Sequence, residues 1–169
     1  MRSKLEPLAR LFPMGWPWSN EVMGAACAAA LSALTAFALF VYRFGNAVDD
    51  LYTYDPVSWE RELIPGAMVP PYPQVLGGSF LFFAATTLAL ALLPIAHFLF
   101  HRQGARSDYL MRRLPQRWEF ARRCLGGSAL LLAGTVLTAA VLFGLFFICY
   151  LTFTPAGCLP PDVWATTGG

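Results

Sequence analysis

Three stretches without a charged residue dominate the pattern of the chain. Val22–Tyr42, Val75–Ala96 and Cys124–Thr154 run for 21, 22 and 31 residues with no Asp, Glu, Lys, Arg or His. About 20 helical residues cross a hydrocarbon core of ~30 Å, so each run is long enough to span. A helix packed on a soluble core would carry charge on its solvent face every turn or two. A spanning strand would alternate apolar and polar residues. Neither pattern is present. The expected fold class is therefore an all-α integral membrane protein with three transmembrane helices.

The pattern divides the chain into seven segments. Residues 1–20 form an interfacial helix and turn, 21–44 the first span, 45–74 an outer loop and 75–101 the second span. Residues 102–122 form a basic loop with a short helix, 123–154 the third span and 155–169 an outer tail. In SKLEPLARLF, residues 3–12, the apolar Leu5, Leu8, Leu11 and Phe12 share a stripe that excludes Lys4 and Arg10. That spacing predicts a short helix in the headgroup plane, ended by Pro13, Gly15 and Pro17 beside Trp16 and Trp18. The first apolar run is longer than the ~7–15 residues of a signal-peptide core and follows about twenty residues, so it is expected to stay in the protein.

Charge sets the expected orientation. Residues 1–21 hold three of the twelve Lys and Arg, and 102–123 hold seven. Residues 43–74 hold two, against five acids, and the tail holds none. Basic flanks stay cytoplasmic, so in a multi-pass protein of the cell membrane the N-terminus and the 102–123 loop are expected in the cytoplasm, and residues 45–74 and the C-terminus outside. Composition agrees: 57% of residues are apolar, 13% are charged and the mean hydropathy is +0.52. This excludes a disordered tail and a nucleic-acid-binding domain with a basic face.

Small residues four apart crowd the first span and recur in the third. Gly24, Ala28, Ala29 and Ala33, then Gly134 and Gly144, are the positions expected to let helix backbones approach closely, whether within the chain or against another subunit. In the outer loop, Asp55-Pro56 predicts a helical turn over Pro56–Leu63. The prolines from Pro65 to Pro73 argue against regular helix beyond it. Pro94 removes a backbone bond within the second span and is expected to kink it. His97 and His101 share a face at the cytoplasmic end of that span; they read as interfacial histidines or, with a ligand from elsewhere, as part of a metal site.

The basic loop is the most distinctive part. Ser107 or Asp108 caps a predicted helix that Pro115 ends. Tyr109, Leu110, Met111 and Leu114 supply apolar surface beside Arg112 and Arg113. From Gln116 a second helix, carrying Trp118, is expected to continue into the third span for about 38 residues in all. No GxxxxGK[ST], GxSxG, HExxH or CxxC pattern occurs, so no nucleotide-binding, nucleophile-elbow, zinc-protease or dithiol chemistry is expected, and no cofactor. Cys149 and Cys158 are the one pair placed to meet on the outer side.

The runs SDYLMRRLPQRWEFARRC and TPAGCLPPDVW, within residues 105–164, resemble small integral membrane proteins of Gram-positive bacteria that accompany ABC-type export systems. The resemblance implies a non-catalytic transmembrane subunit whose partners are the bilayer, an ABC-type ATPase and another transmembrane subunit. Tyr109–Leu114 and Trp118 would form the docking segment. Three spans are fewer than a complete permease half carries, which leaves an accessory subunit and half of a split permease both open. The alternative expectation is a stand-alone membrane enzyme or a metal- or ligand-binding protein using the outer acids or His97 and His101.

Overall fold

The computed structural model describes residues 12, 17–54, 60–103 and 117–165. In chain order the elements are α1 (Trp18–Asp49), β1 (Tyr52–Tyr54), β2 (Arg61–Leu63), α2 (Tyr72–Leu76), α3 (Leu81–Gln103) and α4 (Arg117–Phe153). Helix dominates, and α1, α3 and α4 each contain a segment long and apolar enough to cross a membrane. The interfacial helix expected over residues 3–12 lies outside the described residues except for Phe12.

Four local expectations change. The first helix extends past the predicted 21–44 at both ends, because its flanking turns are polar without being helix-breaking. Pro17 opens it by accepting the amides of Asn20 and Glu21 at 3.0 and 3.3 Å. The second span does not begin at Val75. Gly77 takes φ +46, a conformation L side chains rarely adopt, and turns the chain between α2 and α3. The proline-rich stretch nevertheless starts a helix, since Pro73 falls in the first turn of α2, where its missing N–H is not needed. Arg61–Leu63, expected in a helical turn, is instead a strand. It pairs antiparallel with β1, Tyr52 opposite Leu63 and Tyr54 opposite Arg61. Alternating aromatic and β-branched residues in Tyr-Thr-Tyr favour a pleated partner over a helical one. The described residues are thus mostly helical with one two-stranded ribbon. The continuous helix anticipated across the start of the third span is present in α4, which runs 37 residues.

The described residues form two compact units. One draws on Met1–Leu31 and Phe83–Thr138, the other on Ser32–Phe82 and Ala139–Gly169. The second unit has an aromatic core. Phe40 of α1 stacks on Phe146 of α4 with centroids 4.4 Å apart and planes 2° from parallel, and Phe80 closes on Phe146 at 5.9 Å. Tyr72 is fully buried among Phe143, Phe147, Tyr150 and Trp164, with centroids 5.2–5.6 Å away. Such edge-on and tilted pairs contribute about 0.5–1.5 kcal/mol each beyond the area they bury.

Hydrogen bonds tie the C-terminal tail into the same core. The Val69 amide donates to the Cys158 carbonyl at 2.8 Å and the Tyr72 amide to that of Val163 at 2.9 Å. The Tyr72 hydroxyl donates to the Phe143 carbonyl at 2.8 Å, and that of Tyr150 to Pro70 at 3.0 Å. Outside the spans, burial pushes the Tyr72 phenol up to about 12 from its ordinary 10. The unfolded chain therefore ionises first as pH rises. The part of the stability linked to Tyr72 is complete below pH 10 and is lost between pH 10 and about 12. Ultraviolet titration should show a late tyrosine component reaching about pH 12, and Tyr72→Phe should remove that component.

Candidate functional site

Buried ionisable groups in a membrane helix are costly and mark function more often than packing does. The first unit holds one such group of side chains, and three helices build it. Glu21 stands in the first turn of α1, where a carboxylate also meets the positive end of the helix dipole. His97 follows Pro94 on α3 and is completely buried. Ser128, buried on α4, completes the set.

His97 Nε2 lies 2.8 Å from Glu21 Oε2, and His97 Nδ1 lies 3.5 Å from Ser128 Oγ. The Glu21 side chain is 8% exposed. With the carboxylate accepting, Nε2 must carry a hydrogen. Nδ1 of a neutral ring then accepts from the Ser128 hydroxyl, whereas a protonated ring would donate at both nitrogens. Next to Ser128, the ring of Phe12 occupies the space a Cβ on Gly127 would fill. Phe12 is buried and its centroid is 6.2 Å from that of Trp18.

Serine, histidine and glutamate are the residue types of a nucleophilic triad, but their arrangement favours a clamp over catalysis. The Ser128 hydroxyl is at the outer limit of hydrogen-bond distance. Its backbone N–H belongs to the interior of α4, so it offers no donor to a developing oxyanion. What the cluster can do is hold α1, α3 and α4 in one register through a polar contact that alternative packings would leave unsatisfied.

His97 was readable from the sequence as an interfacial residue or a metal ligand, and the structure instead pairs it with Glu21. The side chain of His101 lies outside the described residues. Asp49 forms an ion pair with Arg61, whose guanidinium also sits 4.8 Å from the Tyr52 ring centroid. Among the described residues no three of His, Cys, Asp and Glu come together. Cys149 and Cys158 are free thiols. Glu21 and Ser128 were not singled out by sequence. A signal was present: antiparallel spans bring the start of the first run, the end of the second and the start of the third to one end, where Glu21, His97 and Ser128 fall.

The docking residues Tyr109, Leu110, Met111, Arg112, Arg113 and Leu114 lie outside the described residues. Trp118 belongs to α4, but its side chain is likewise not described. The small-residue positions divide. On α1 the buried stripe is Ala25, Ser32, Ala36 and Phe40, while Ala28, Ala29 and Ala33 are half-buried beside it. A Cβ placed on Gly24, Gly134 or Gly144 would meet nothing within 4 Å, so these glycines are not close-approach points among the described residues. Their faces border open grooves. Gly24, Ala28, Ala85 and Ala89 line one of about 420 Å³, and Ala29, Gly134 and Thr138 line another of about 240 Å³.

No protein-family model, curated protein or solved structure matches the chain.

Proposed function

We propose that the chain is a non-catalytic transmembrane subunit of an ABC-type export complex, resident in the cell membrane with its N-terminus and residues 102–122 in the cytoplasm. The observation that carries this reading is the clamp itself. His97 and Ser128 sit on the two helices that bracket residues 104–116; His97 is bonded to Glu21, and Ser128 to His97. A cytoplasmic segment rooted in that way can pass a push from an ATPase into the helices without dissipating it in loose side chains.

The uncovered helix surfaces support the subunit part of the reading. Only 11% of the most apolar window of α4 is buried within the chain. The grooves beside Gly24 and Gly134 offer the close backbone approach on which helix association in lipid depends. The ABC-type partner rests on the resemblance within residues 105–164 and on the basic, apolar-faced docking segment.

Mild-detergent purification of the tagged protein from its own membrane, followed by mass spectrometry, tests both parts. The expected result is an ATPase at constant stoichiometry. Arg112→Ala/Arg113→Ala or Tyr109→Ala should lower its recovery about tenfold while leaving insertion unchanged, as loss of interface anchors does. A chain recovered alone and well folded, or an ATPase retained equally by the variants, overturns the docking role.

A further inference from the structure

The second unit contains a polar pocket that the clamp and the docking segment do not use. Its volume is about 280 Å³, and it is lined by Arg43, Asn46 and Asp50 of α1 and Gln74 of α2, with Ala47, Pro70 and Val75 as its apolar remainder. Arg43 is the first charged residue after the uncharged run Val22–Tyr42, so it stands where α1 leaves the hydrocarbon for the headgroup layer.

Its guanidinium lies against Gly77, in the space a Cβ would take, at the turn where that glycine adopts φ +46. Among the described residues neither Arg43 nor Asp50 has an ion-pair partner; the neighbouring Asp49 pairs instead with Arg61. The side chains of Asn46 and Gln74 are likewise without protein hydrogen bonds among the described residues. A cation, an anion and two amides thus line one pocket at headgroup depth with their bonding capacity uncommitted.

We propose that this pocket binds the headgroup of an aminophospholipid, its phosphate on Arg43 and its primary ammonium on Asp50. Arginine presents a planar fork that suits phosphate oxygens, and a carboxylate accepts N–H bonds from a primary ammonium. The two amides complete the shell. A purely anionic headgroup would satisfy Arg43 but set its charge against Asp50. A quaternary ammonium would meet Asp50 with no N–H to donate.

The test is native mass spectrometry of the delipidated full-length protein, titrated with phosphatidylethanolamine, phosphatidylcholine and phosphatidylglycerol of identical acyl chains. The ethanolamine lipid should be retained about tenfold better than the other two, the scale of one charge-assisted hydrogen bond. Arg43→Gln should bring it down to the level of the choline lipid. Asp50→Asn should erase the distinction between those two. Both positions are exposed, so the variants should unfold at the wild-type temperature. Equal retention of the three lipids overturns the proposal, as does ethanolamine binding unchanged in Arg43→Gln. Displacement of every bound lipid by free glycerophosphoethanolamine at equal concentration would reassign the pocket to a soluble zwitterion and overturn the lipid claim.

Discussion

His97→Ala should destabilise the protein by about 3–5 kcal/mol, the range seen when one member of a buried ion pair is removed. The cost comes less from the lost attraction than from what remains. The Glu21 carboxylate would stay in a site that leaves it 8% exposed, with no imidazole to donate to it. Thermal or denaturant unfolding of the purified protein in micelles measures the effect.

Two further variants distinguish this cause from simple loss of packing. Glu21→Leu/His97→Leu removes both polar groups and should be less destabilised than His97→Ala, because no buried charge is left unpaired. Ser128→Ala should cost only about 1 kcal/mol, since its bond to Nδ1 is long at 3.5 Å. If the double variant proves worse than the single, the pair contributes net attraction in this environment and the desolvation argument fails. If the ATPase engages through the 102–122 loop, His97→Ala should also weaken co-purification even at temperatures where the variant remains folded.

Tyr72→Ala should have an effect of similar size in the other unit, again about 3–5 kcal/mol, typical of aromatic-to-alanine truncation in a packed core. The ring is completely buried and touches four aromatic neighbours, so its removal leaves a cavity that stiff rings cannot close. Tyr72→Phe keeps the ring and loses only the hydroxyl bond to the Phe143 carbonyl, which should cost about 1 kcal/mol.

The difference between these two variants separates packing from hydrogen bonding. A local readout comes from the tail, which the Tyr72 amide holds through Val163 and the Tyr72 ring holds through Trp164. Limited proteolysis should cut the tail of Tyr72→Ala faster than that of the wild type or Tyr72→Phe. Equal cleavage rates in all three would mean that the tail is held without the aromatic core.

Much of the architecture was legible in the chain because it follows from local rules. An uncharged run of 21 residues or more has few alternatives to a membrane helix, since every backbone polar group in lipid must be bonded internally. The uninterrupted passage from Arg117 into the third span was likewise readable, because Pro115 tolerates a helix start but not a helix interior. The break before α3 was less so. Two adjacent glycines, Gly77 and Gly78, are compatible with a helix in lipid, where packed neighbours re-satisfy a weakened backbone. It is the turn at Gly77 and the fit of Arg43 against it that take them out of the helix.

The packing face of α1 shows the same division. Several sets of small residues four apart fit an alanine-rich helix equally well, and composition does not rank them. The rank comes from across the interface, where Phe146 stacks on Phe40 and so places Ala36 and Ser32 on the buried stripe.

Sequence alone therefore determined that this protein has three helices long and apolar enough to cross a membrane, with a basic segment between the second and third. Hydropathy and helix punctuation are summed over neighbours in the chain and need no partner. Tertiary structure decided that Glu21, His97 and Ser128 form one cluster, that Tyr72 anchors the tail, and that Arg43 and Asp50 share a pocket with Gln74. Each of these is a meeting of single residues distant in sequence, and only the helix register, set by side-chain packing, brings them within reach of one another.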